Sequence, residues 1–184
     1  MKKVNLTIEK KSYNAREAIR TLRTNLQFCG DDKQVILVTS CIPGEGKSSI
    51  AVSLAESIAE MGKSVILVDA DIRKSVLASR LEISDVDKGL SHFLSGQCNL
   101  SDVIYATNIP KFHILLSGPE APNSTELLES KRFSGMLESM KNVYDYIIID
   151  CPPLGLVIDA AIVGRQSDGA IIVVEAGKTK YRLV

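Results

Sequence analysis

Four short segments of the chain are almost continuously apolar: Val35–Val38, Val65–Val68, Ile147–Ile149 and Ala170–Val174. Each is rich in valine and isoleucine and bounded by polar residues or glycine. Runs of this kind lack the alternation of a half-exposed strand and fit strands buried on both faces, as in a parallel sheet covered by helices. A weaker fifth run, Phe112–Ser117, can join the same sheet. Between the runs the apolar spacing becomes helical. Ile50, Leu54, Ile58 and Met61 share one face of a segment from about Lys47 to Met61, and Gly62 supplies a stop signal. A second stripe, through Leu127, Leu128, Phe133, Met136, Leu137 and Met140, predicts one helix over Thr125–Ser139. Strand, helix, strand is the βαβ unit, whose crossover is right-handed. The pattern predicts an α/β fold with a mostly parallel central sheet flanked by helices.

The first thirty residues form an N-terminal helical arm. Ala15, Ile19, Leu22 and Leu26 make its apolar stripe, Ser12 or Asn14 can cap its start, and Gly30-Asp31-Asp32 breaks it before the first strand. No repeat, low-complexity tract or linker divides the chain, so residues 1–184 are read as a single domain with the arm at 1–30.

Composition narrows the partners of such a domain. The chain has 184 residues, with 22 basic and 22 acidic side chains and a formal net charge of zero, so a global basic field for nucleic acid is missing and only a local basic patch is left open. Hydrophobic residues make up 45% and charged residues 24%, as in soluble globular proteins. No stretch approaches the roughly 20 apolar residues of a membrane span, and the start lacks a signal-peptide core, so a cytoplasmic location without direct membrane insertion is expected. Cys29, Cys41, Cys98 and Cys151 form no CxxC pair and His92 and His113 no ligand pattern, which favours reduced cysteines over a zinc site.

Three segments carry chemistry. Thr39–Ser49 (TSCIPGEGKSS) follows an apolar strand and opens an amphipathic helix, the setting of a phosphate-binding loop. Gly44 and Gly46 let successive N–H groups turn toward phosphate oxygens, and the helix start adds its dipole. Pro43, Gly44, Glu45, Gly46, Lys47, Ser48 and Ser49 are therefore the candidate nucleotide-binding residues, with Lys47 on the β- and γ-phosphates and Ser48 on Mg²⁺. The usual first glycine of the pattern is replaced by Cys41. Asp69 and Asp71 end the second apolar run, where open α/β sheets bind ligands; one carboxylate can hold Mg²⁺ or its waters, and one can accept a proton from an attacking hydroxyl. Asp150 ends the third run and is placed to orient Mg²⁺ through the loop serine, while Pro152 and Pro153 fix the chain's exit.

Together these motifs resemble the catalytic domain of the bacterial protein-tyrosine kinases (BY-kinases) of capsular and exopolysaccharide synthesis. Pro43–Ser48 stands for the family's variant phosphate loop of the deviant Walker type, Asp69–Arg73 for its DxDxR motif, and Asp150–Pro153 for its DxPP motif. Gly118–Leu128 is similar to the stretch ahead of a long helix in that family. The resemblance implies a P-loop NTPase fold, ATP and Mg²⁺ as cofactors, and tyrosine autophosphorylation. Glu17, Arg20 and Arg23 resemble the E-x-x-R-x-x-R motif through which these kinases form rings, which implies a homo-oligomer with these residues at its interface. It also implies a membrane-embedded co-polymerase that activates the kinase and recruits it to the inner face of the plasma membrane. The alternative is a partition or septum-positioning ATPase; the additional loop lysine of those relatives is replaced here by Ile42. Relative to the family pattern, a final helix, a strand and a tyrosine-rich tail are absent beyond Val174, and Tyr181 reads as an ordinary helix-start residue.

Overall fold

A computed structural model describes residues 2–8, 11–30, 32–84 and 86–180. Tyr181 lies outside them. The parallel strands form where the continuous apolar runs occur: β1 (Val35–Ser40), β2 (Val65–Asp69), β4 (Phe112–Leu115), β5 (Tyr146–Asp150) and β6 (Gly169–Val173). A two-residue strand, β3 (Tyr105–Ala106), completes a sheet of order β3-β4-β2-β5-β1-β6, antiparallel only at the β3–β4 pair. β1, β2 and β5 are buried along almost their whole length. β6 lies at an edge and alternates between half-buried and exposed residues.

Helices cover both faces. α1 (Tyr13–Phe28) and α2 (Lys47–Glu60) lie on one side; α3 (Leu77–Arg80) and α4 (Leu90–Leu94) are short. α5 (Ser124–Glu129), α6 (Lys131–Lys141) and α7 (Asp159–Gly164) pack on the other side. β1, β2, β4 and β5 divide their residues between two cores. Ile36, Val38, Val65, Leu67 and Ile148 meet Ala51, Leu54, Ala55 and Ile58 of α2. Val35, Leu37, Ile66, Val68, Ile147 and Ile149 meet Phe133, Met136, Leu137 and Met140 of α6.

Three local readings change. The single helix expected over Thr125–Ser139 is two helices, because Ser130 takes an extended conformation (ψ 152°) and caps α6 through a bond from the Phe133 N–H to its hydroxyl. The apolar stripe runs on across the break, which is why periodicity hides it. The buried face of α2 is broader than its large side chains suggest: Ala51, Ala55 and Ala59 are buried, whereas Met61 is 44% exposed. The stripe of α1 is thin, with Ile19 its one buried residue; Ser12 rather than Asn14 caps it, accepting the Ala15 N–H at 3.3 Å.

Residues 2–6 lie beside β3, where the Val4 N–H donates to Ala106 O at 2.9 Å and the Ala106 N–H to Lys2 O at 3.0 Å. Among the described residues, no helix is long and apolar enough to cross a membrane.

Gly89, at the start of α4, packs directly on the backbone of the segment after β4. A Cβ there would stand 2.3 Å from Gly118 N and 2.5 Å from Leu116 O. Gly89→Ala is therefore expected to destabilise the fold by about 2 kcal/mol or more. Differential scanning calorimetry should find its midpoint lowered by roughly 4–8 °C for a chain of this size.

Candidate functional site

β1 delivers the chain into the loop Cys41–Gly46, which turns back at its far end into α2. Gly44 (φ 84°) and Gly46 (φ 89°) occupy the left-handed region, where a side chain would be strained. Gly46 is the N-cap of α2 and offers no side chain to the first-turn N–H groups. A fourteen-residue helix thus begins with its dipole and backbone donors facing the loop. Glu45 is turned away from that face. Its carboxylate accepts the Ile42 N–H at 2.8 Å and the Glu175 N–H at 3.2 Å, and also the Thr179 hydroxyl, closing the loop on itself and on the segment after β6. Burial pushes the carboxyl up, but these bonds win and hold it below its ordinary value. Of the seven residues read as phosphate contacts, Glu45 therefore directs its side chain into the loop's own backbone. Ser49, in the first turn of α2, lends its carbonyl to the Ser53 hydroxyl.

The carboxylates come from neighbouring strands. β2 and β5 pair in parallel with Asp69 opposite Asp150, and each is only 1% exposed. Lys47 reaches Asp150 from the start of α2, its ammonium 3.5 Å from Asp150 Oδ1 and 3.2 Å from the Ser48 hydroxyl. The fold thus brings Lys47, Ser48, Asp69 and Asp150 to one end of the sheet. Asp69 Oδ1 accepts the Asp71 N–H at 3.2 Å, and Oδ2 accepts the Ser75 hydroxyl. Asp71 is half-buried, with Oδ1 accepting the Lys74 N–H at 3.1 Å. After β5 the chain exits along the loop: the Leu154 N–H donates to Ser40 O at 2.9 Å and the Gly155 N–H to Cys41 O at 3.0 Å. The Thr39 hydroxyl fixes Pro152 O at 2.8 Å.

Burial, then the neighbouring Asp150 charge, push the Asp69 carboxyl up to about 7 against the Ser75 bond. Burial also raises Asp150, with Lys47 opposing it. Cys151, enclosed beside these carboxylates, is raised well above an ordinary thiol and stays protonated.

A further cluster has no counterpart among the residues read from sequence as site residues. Asp159, fully buried at the start of α7, accepts Arg73 Nε at 2.8 Å and Nη2 at 3.2 Å. It also accepts the Ser124 and Thr125 hydroxyls, at 2.9 and 2.8 Å. Arg73 belongs to the DxDxR motif and Ser124-Thr125 to the stretch ahead of the predicted helix, but Asp159 stands 86 positions from Arg73 with no motif around it. Within α1, Glu17 and Arg20 pair with each other at 2.7 Å and are about half exposed. Arg23 instead turns inward, donating to Ser57 O at 2.8 Å and Ser57 Oγ at 2.9 Å and pinning α1 to α2.

The raised Asp69 fixes a direction for stability against pH. The folded chain holds this proton up to about pH 7 and the unfolded chain only to the ordinary 3.8. The associated stability is complete below the unfolded value and is lost as pH rises through the folded one. Asp69→Asn removes the titration. Without nucleotide, its melting temperature should exceed that of the wild type at about pH 8 and the gap should close toward about pH 4. Parallel melting curves for the two proteins across that range would count against the shift.

Residues 33–182 match the AAA domain family. The chain is 44% identical over 168 residues to the tyrosine-protein kinase CpsD of Streptococcus agalactiae, covering 91% of this chain and 72% of that protein. The kinase domain of the Escherichia coli tyrosine kinase ETK superposes with a TM-score of 0.86 at 33% identity, over 92% of this chain and 67% of that one. The septum site-determining protein MinD of Pyrococcus horikoshii, solved with Mg-ADP, gives a TM-score of 0.66 at 31% identity over 76% of this chain and 57% of that one. With a six-stranded, mostly parallel sheet and a lysine, a serine and two strand-end aspartates gathered at one end of it, the chain belongs to the bacterial tyrosine-protein kinase family.

Proposed function

We propose that this domain transfers the γ-phosphoryl group of ATP to tyrosine, its own and those of neighbouring copies, in the control of capsular or exopolysaccharide synthesis. The observation that carries the chemistry is the meeting of Lys47 and Ser48 with Asp150, beside a protonatable Asp69. The identity to named tyrosine kinases supports this reading over a septum-positioning ATPase.

The residues fit a magnesium nucleotide. The left-handed glycines and the uncapped start of α2 form an anion cradle, and Lys47 adds a point charge. Ser48 and Asp150 would hold the ion, in keeping with the preference of Mg²⁺ for one or two protein ligands with phosphate and water. When bound, Mg²⁺ neutralises charge on the phosphate oxygens. Asp69 then accepts the proton of the tyrosine hydroxyl; its proton affinity near neutrality suits a general base, and Asp71, half-exposed, is the alternative.

For assembly, we assign Glu17 and Arg20 to a contact with a neighbouring subunit in a ring-type homo-oligomer. Both are exposed and can exchange their mutual bond for an intersubunit pair. Arg23 supports that contact from within by holding α1 on α2. A membrane-embedded polysaccharide co-polymerase recruits the kinase to the inner face of the plasma membrane.

Incubation with Mg·ATP and a tyrosine-rich peptide, read with a phosphotyrosine antibody, tests the activity. Lys47→Met should lower phosphotyrosine by about 10³-fold or more, because charge and positioning supply most of the catalysis. Asp69→Asn should lower it by about 10²–10⁴-fold as a lost base, and a larger effect of Asp71→Asn would exchange the two roles. Release of inorganic phosphate without phosphotyrosine would favour the ATPase switch. In light scattering at low salt, Glu17→Ala with Arg20→Ala should lower the assembled mass and leave the melting temperature unchanged; an unaltered mass removes the interface role.

A further inference from the structure

The cluster around Asp159 is a buried charge that the phosphate chemistry does not use. Its carboxylate is completely enclosed and takes donors from two other parts of the chain. Arg73 comes from the loop after β2, Ser124 and Thr125 from the start of α5, and Asp159 itself from α7. Arg73 engages both carboxylate oxygens, and its Nη2 also donates to Thr125 Oγ1 at 2.9 Å. With Asp159 enclosed and the Arg73 side chain 36% exposed, an ion pair of this kind is weak evidence for stability. What a two-pronged guanidinium pair fixes well is geometry, in distance and in plane.

The segment so fixed is the one that shapes the strand-end carboxylates. Arg73 lies between the two residues whose groups hold Asp69: the Asp71 N–H on Oδ1 and the Ser75 hydroxyl on Oδ2. The Ser75 hydroxyl also accepts the Leu77 N–H at 3.0 Å, so this turn closes on its own atoms. Among the described residues, its ties to the remainder of the chain include the Ala70 N–H, which donates to Asp150 O at 2.9 Å next to β2, the buried Ile72, whose carbonyl accepts the Ala121 N–H at 2.8 Å, and, beyond these, the Arg73 clamp.

We propose that Asp159 is a positioning residue for phosphoryl transfer: by clamping Arg73 against α5 and α7, it holds the Asp69–Ser75 turn so that Asp69 and Asp71 face the phosphate loop. The proposal rests on the kinase reading above and adds a residue that touches neither nucleotide nor tyrosine.

Asp159→Asn, Arg73→Lys and the double variant test it, in the full chain. Each single variant should lower kcat for peptide phosphorylation by about 10–100-fold, the usual cost of losing an outer-shell partner. The KM for ATP should stay within about threefold, since the phosphate loop is untouched. The double variant should be no slower than the worse single one, because residues acting as one unit are not additive. Losses that multiply in the double variant, an unchanged kcat, or a KM for ATP that rises as far as kcat falls would each overturn the clamp. Hydrogen exchange on the nucleotide-free protein gives a second readout. Residues 69–75 should exchange faster in Arg73→Lys while β1 and β5 keep their protection; unchanged exchange in this segment also overturns the proposal. Should Asp159→Asn fail to fold, Arg73→Lys and Thr125→Val, which removes one hydroxyl, carry both measurements. A wild-type chain that makes no phosphotyrosine would sink the kinase reading, and the exchange measurement would still decide the clamp.

Discussion

Two carboxylates that end adjacent parallel strands at the same level, both out of contact with water, set the terms for this molecule. Asp69 and Asp150 are register partners, and burial makes their negative charge expensive. A protein can tolerate such a pair by supplying a cation, by supplying donors, or by leaving one of the two protonated. All three are present here: Lys47 reaches Asp150, Asp69 takes the Ser75 hydroxyl and the Asp71 N–H, and its proton is retained up to about pH 7. The helix start that carries Lys47 and the turn that carries Ser75 follow from that electrostatic problem. The magnesium and proton-transfer roles proposed above build on the same need for a countercharge at this spot.

The sheet could be read directly because burial on both faces leaves no alternation, and Val35–Val38 or Ile147–Ile149 has one plausible fate. β3 could not be read: two residues hold no periodicity, and they pair only because β4 and residues 2–4 flank them. The break at Ser130 was hidden for the opposite reason, that the stripe continues past it. Candidate site residues next to strand ends were readable, since strand ends are where open α/β sheets place ligands. The direction in which a side chain turns is a matter of tertiary packing. Arg23 folds inward onto Ser57 and Glu45 onto its own loop, and neither choice is encoded in the motif that contains it. Asp159 is the extreme case, a buried acid whose partners are scattered across the chain.

The small residues of α2 have a role in the same economy. With Ala51, Ala55 and Ala59 buried in place of larger side chains, the helix can approach the sheet closely. The helix they belong to is the one that carries Lys47 and Ser48 to Asp150. Gly155, whose Cβ would lie 2.5 Å from Cys41 O, lets the chain after β5 pass close to the start of the loop.

Glu45 places a negative charge inside a loop shaped to attract negative charge. Measured by attraction alone, this is a loss. Its carboxylate nevertheless occupies the Ile42 N–H and ties the loop to the Glu175 N–H, so the loop does not have to find its shape when an anion arrives. Ordering that is complete before binding is not deducted from affinity. Under the nucleotide reading proposed above, the loop exchanges some long-range pull for readiness and favours an anion whose oxygens match a fixed set of N–H positions. On that reading, the acid beside the phosphate site acts as a filter on shape.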